Sequence, residues 1–113
     1  ASVQNSLIAD GCDINGKIDF SVLFSNVTVA HNAVIQDSII MPGAVIEEGA
    51  VVQYAIVSEN TVIGKNAVVG ARPEDIDEKD KWGIAVIGDN VKIGANAVVP
   101  PKAMISKDVE EVK

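Results

Sequence analysis

The chain has 113 residues, enough for one domain with a single core. Apolar residues make up 48% of it but aromatics only 4%, so a core of Val, Ile and Ala is expected, side chains that suit closely packed strands. A net charge of −7 argues against nucleic-acid binding, which needs clustered Lys and Arg. No apolar run approaches the roughly 20 residues of a membrane span, and no basic–apolar–small leader opens the chain. The single cysteine, Cys12, excludes an internal disulfide and points to a reducing, cytoplasmic setting.

Repetition is the dominant signal. From the N-terminus, residues 3–8 (Val-Gln-Asn-Ser-Leu-Ile), 18–23 (Ile-Asp-Phe-Ser-Val-Leu), 35–40 (Ile-Gln-Asp-Ser-Ile-Ile) and 52–57 (Val-Gln-Tyr-Ala-Ile-Val) share one pattern. Their starts lie 15, 17 and 17 residues apart. Six-residue units lie between and beyond them: 29–34 (Val-Ala-His-Asn-Ala-Val), 46–51 (Ile-Glu-Glu-Gly-Ala-Val), 63–68 (Ile-Gly-Lys-Asn-Ala-Val) and 93–98 (Ile-Gly-Ala-Asn-Ala-Val). Three short strands per turn, with one side trimmed by a residue, produce this spacing. Gly, Asn and Pro fall where the chain must turn, and they interrupt any helical period.

The pattern predicts an all-β chain: a single-stranded left-handed parallel β-helix of about five to six coils, one domain over residues 1–113. The handedness belongs to the fold class, a known exception to right-handed crossovers. Its inward column runs Val3, Ile8, Ile14, Ile18, Leu23, Val29, Ile35, Ile40, Ile46, Val52, Val57, Ile63, Val69, Ile87, Ile93, Val99 and Ile105. A second, mostly small residue precedes each by two positions, from Ser6 and Cys12 to Ala97 and Ala103. Alternation along a strand sends both kinds of residue inward. The chain opens at Ala1 with a repeat in progress, which predicts a preceding segment; the polar tail at 107–113 is expected to blunt the last coil.

One interval breaks the rhythm. The interval from Val69 to Ile87 is 18 residues where six suffice, so 71–83 is expected to protrude as a loop. It holds five acids and three bases, with Trp82 as its expected anchor. Both a solvated excursion and a ligand or subunit contact fit that composition.

Catalytic residues and metal ligands are not found. His31 is the only histidine, at an expected corner, and zinc sites of the three-histidine kind are excluded for one chain type. Cys12 is expected to pack inside, with nothing to activate it. Gly64 and Gly94 read as corners, since no phosphate-loop pattern surrounds them. Glu47, Glu48, Asp77 and Glu78 read as solvated charge. Outward apolar residues, by contrast, recur on one side: Leu7, Val22, Phe24, Ile39, Met41 and Ile56. An exposed stripe of this kind marks an interface, and Leu7, Val22, Ile39 and Ile56 are its expected contacts.

Residues 6–12 (Ser-Leu-Ile-Ala-Asp-Gly-Cys), 21–25 (Ser-Val-Leu-Phe-Ser) and 37–46 (Asp-Ser-Ile-Ile-Met-Pro-Gly-Ala-Val-Ile) resemble the C-terminal domain of bacterial ADP-glucose pyrophosphorylase, glucose-1-phosphate adenylyltransferase. Residues 62–67, the Ala-Arg-Pro at 71–73 and 83–88 resemble the end of the same domain. The resemblance implies a parent enzyme making ADP-glucose and pyrophosphate from ATP and glucose 1-phosphate, with Mg²⁺, for glycogen synthesis. It implies that catalysis resides in an N-terminal nucleotide-binding domain, the chain's own partner, and that this chain is inactive and needs no cofactor by itself. It further implies a homo-oligomer, a tetramer in the family, and an anionic effector held by basic residues of the loop: Arg72 first, then Lys79 and Lys81. The loop here is acidic overall and lacks strong basic clustering. A hexapeptide-repeat acyltransferase using His31 and a purely structural β-helix remain the alternative readings.

Overall fold

The computed structural model describes residues 2–72 and 83–106. Among them are seventeen short strands, numbered in chain order, that stack into three parallel sheets. The first face stacks β1 (Ser2–Gln4), β4 (Lys17–Asp19), β7 (Val34–Gln36), β10 (Val51–Gln53), β13 (Val68–Val69) and β16 (Val98–Val99). The second stacks β2 (Leu7–Ile8), β5 (Val22–Leu23), β8 (Ile39–Ile40), β11 (Ala55–Val57), β14 (Ala85–Ile87) and β17 (Met104–Ile105). The third stacks β3 (Asp13–Ile14), β6 (Thr28–Val29), β9 (Val45–Ile46), β12 (Val62–Ile63) and β15 (Lys92–Ile93). The expected left-handed parallel β-helix is what forms, with five complete coils and two strands of a sixth among the described residues.

Each strand is only two or three residues long, so stability comes from stacking rather than from any strand alone. The inward residue of every coil pairs with its counterpart one coil away: Ile18 with Ile35, Ile35 with Val52, and Val52 with Val69. From Ile18 to Val99 this aliphatic column is buried, and the alanines between fill the remaining space. The column fails only at the ends. Val3 is 45% exposed, and Ile8, Cys12, Ile14, Ala103 and Ile105 are half-buried, because the described chain has no further coil to cover them. Cys12 packs against the core as expected but is only half-buried, and its Sγ lies 3.1 Å from the Phe24 carbonyl oxygen.

Corners decide the spacing. Between the second and third faces, Gly11, Asn26, Gly43, Asn60 and Asn90 all take positive φ, the region Gly and Asn enter at least cost. A Cβ on Gly43 would meet the Asn60 carboxamide oxygen stacked over it, so that side chain would have to shift. The trimmed corner between the first and second faces turns on a single residue at Asn5, Phe20, Asp37 and Tyr54, with φ of 50°, 47°, 50° and 48°. Phe20 and Tyr54 are large side chains in a region such residues avoid.

The serines after that corner hold it closed. Ser6 Oγ donates to the Gln4 carbonyl and accepts from the Ser21 amide at 3.0 Å. Ser21 Oγ repeats the bond to Asp19 and the Ser38 amide, and Ser38 Oγ repeats it to Gln36 and the Ala55 amide. The ladder ends at Ala55, which has no hydroxyl. The next amide, on Ala85, donates instead to the Tyr54 carbonyl at 3.2 Å.

Candidate functional site

The outward residues of the second face form one column. Register pairs Leu7 with Val22, Val22 with Ile39, Ile39 with Ile56, Ile56 with Val86 and Val86 with Met104. The four residues expected at an interface are thus brought together in order. Leu7 is 72% exposed, Ile39 37% and Met104 82%, while Val22, Ile56 and Val86 are half-buried between neighbours. Exposed Phe24 and half-buried Met41 lie directly beyond the inward residues of the same face and widen the patch. Val86 and Met104 extend the column beyond the sequence expectation. They were missed because the excursion conceals their register, although the spacing of Ile87 and Ile105 carries the signal.

The other faces differ. On the first, outward Val34, Val51, Val68 and Val98 run beside a polar row, Gln4, Asp19, Gln36 and Gln53. Within that row Asp19 Oδ1 is buried without a hydrogen-bond partner. On the third, Asp13 and Thr28 stand at one end and Lys92 at the other. The second face is therefore the most apolar of the three.

Beside it lie the two ends of the excursion. It leaves the first face after Gly70, and Arg72 stands exposed just beyond. Lys79, Lys81 and Trp82 lie outside the described residues. On the return, the Lys102 amide donates to the Gly83 carbonyl at 2.9 Å, so a cation the sequence did not single out borders the same corner. Among the described residues no group of three or more His, Cys, Asp or Glu is arranged to hold a metal. His31 sits exposed at the corner between β6 and β7, where its carbonyl accepts from the Gly49 amide at 3.3 Å. Among the described residues no helix is long and apolar enough to cross a membrane.

A family model described as the GlmU-like C-terminal hexapeptide matches residues 1–82. The chain belongs to this family. A second model, the hexapeptide repeat of succinyl-transferase, matches this hexapeptide-repeat chain over residues 84–101. Part of it is similar to the glucose-1-phosphate adenylyltransferase of Clostridium beijerinckii, 46% identical over 39 residues, covering 34% of the chain and 10% of the relative. The same enzyme from Clostridium botulinum is 51% identical over 39 residues, with the same coverage. The matched segment thus spans about a tenth of the length of these curated relatives. Among solved structures, the acetyltransferase domain of PglB from Neisseria gonorrhoeae aligns over 93% of this chain and 48% of that one, at 18% identity and a TM-score of 0.46. The resemblance to glucose-1-phosphate adenylyltransferase noted from the sequence is therefore matched by relatives over a short segment.

Proposed function

We propose that this β-helix is the C-terminal assembly and regulatory domain of a glucose-1-phosphate adenylyltransferase, whose catalytic domain makes ADP-glucose from ATP and glucose 1-phosphate with Mg²⁺. The observation that carries the reading is the apolar column from Leu7 to Met104, six outward apolar residues in unbroken register on one face, of which Leu7, Ile39 and Met104 are exposed. Burying such a column against a second copy removes apolar area from water, which favours association. The column is small, however. Six strands about 4.8 Å apart make a face about 24 Å tall. Its strands of two or three residues make it about 10 Å wide. The resulting area of about 240 Å² falls well short of the roughly 800 Å² per partner of a standard interface, so the face alone supports only weak association. Contacts from the catalytic domain complete the tetramer in this reading, and the setting is the cytoplasm.

Arg72 is the leading effector contact, since a guanidinium pairs with phosphate through two parallel hydrogen bonds; Lys79 and Lys81 are the next candidates. The test is effector titration of ADP-glucose synthesis by the enzyme carrying this domain. Arg72→Ala is expected to raise the half-activating concentration of a sugar phosphate about tenfold, the loss of one charge-assisted contact. An unchanged curve removes Arg72 from the site.

A further inference from the structure

Both ends of the excursion rest on two consecutive residues of the coil beneath. At the departing end, Gln53 Nε2 donates to the Gly70 carbonyl at 3.2 Å. Gly70 lies so close that a Cβ there would overlap the Gln53 carbonyl oxygen. At the returning end, the Ala85 amide donates to the Tyr54 carbonyl at 3.2 Å. In the coils below, one residue spans this corner; here the chain departs at Gly70 and resumes the next face at Ala85.

Tyr54 is also the place where the corner has somewhere else to go. Its φ of 48° is held against the preference of a large side chain, and such strained positions persist only while their surroundings enforce them. The enforcing contacts include the Tyr54 amide bond to the Gln36 carbonyl at 3.0 Å and the Ala85 amide on the Tyr54 carbonyl. One contact comes from the coil below and the other from the returning excursion. Tyr54 is followed at once by β11, which carries Ile56 in the apolar column.

We propose that Gln53 and Tyr54 are positioning residues that carry a change at Arg72 to the apolar face. The chain of contacts is short: Arg72 is two residues beyond Gly70, Gly70 is hydrogen-bonded to Gln53, and Tyr54 opens the strand of Ile56. A shift of the departing end moves Gln53, and the strained corner converts that movement into a different setting of β11. This rests on the reading of Arg72 as an anion contact. A pathway argued from contacts becomes a coupling only when both sites bias the same element, so the measurement is made on β11 itself.

The probe is inorganic phosphate. Its binding is followed by calorimetry, and amide hydrogen exchange at residues 55–57 is followed with and without it. The 113-residue chain is compared with Gln53→Leu, which removes the bond to Gly70, and with Gln36→Leu, the same outward row one coil away. In the unaltered chain and in Gln36→Leu, phosphate is expected to bind and to change exchange at 55–57 about fivefold or more, the low end of ordinary coupling. In Gln53→Leu, binding stays within about threefold, a difference below that coupling, while exchange at 55–57 no longer responds. An equal response in Gln53→Leu overturns the link and leaves the Arg72 reading standing. Absence of phosphate binding to the unaltered chain removes the Arg72 reading and this inference with it. Binding without any response at 55–57 overturns the link alone.

Discussion

At the scale of single residues, the account turns on hydrogen-bonding capacity and φ rather than on hydrophobicity. Ser38 accepts from the Ala55 amide and donates to the Gln36 carbonyl, and both bonds are sheltered from water. Leaving a buried amide unpaired costs about 1–3 kcal/mol. One coil on, where alanine replaces serine, the amide of Ala85 finds the Tyr54 carbonyl instead. Ser38→Ala is therefore expected near the lower end, about 1 kcal/mol, as the Asp37 carbonyl takes over; urea unfolding measures it. Phe20 supports the opposite prediction. It is 58% exposed at φ 47°, so its ring contributes little burial while its backbone is held where asparagine sits comfortably. Phe20→Asn is expected to stabilise the chain by about 1 kcal/mol, read as a higher urea midpoint at unchanged slope. A lower midpoint shows that the ring is held by packing.

Elements were legible in the sequence to very different degrees. The six-residue period and its aliphatic column foretold every strand from Ile18 to Val99, because inward and outward positions alternate without exception there. Leu7, Val22, Ile39 and Ile56 were equally legible, since a shared period places them in one register. The trimmed corner was not. Ser6, Ser21 and Ser38 read as small residues filling space, and their linked hydroxyls emerge only when consecutive coils are stacked. Nor do Phe20 and Tyr54 announce a left-handed turn, because the usual signal there is Gly or Asn. The ends show a further limit of pattern: Val3 and Ile105 match the column, yet among the described residues no coil lies beyond them to bury them. In a solenoid each coil is stabilised by its neighbours, so protection is expected to follow position. Hydrogen exchange should be slowest at Ile40, Ile46 and Val57 and fastest at Val3, Ile8 and Ile105. Uniform protection along the axis contradicts that picture.

For the whole molecule, fold and function separate cleanly. The aliphatic interior requires only the repeat, and hexapeptide-repeat families put the same architecture to different uses. What distinguishes this chain lies outside: one face with a continuous apolar column, and beside it an excursion whose ends rest on Gln53 and Tyr54, just before the strand carrying Ile56. Association through the second face, as proposed, is read by sedimentation velocity over a range of concentrations. The chain is expected to associate reversibly and weakly, with a dissociation constant of about 10 μM or higher. Ile39→Lys combined with Ile56→Lys should leave a monomer at every concentration with its β-sheet content intact. Identical sedimentation of the two proteins would contradict the account.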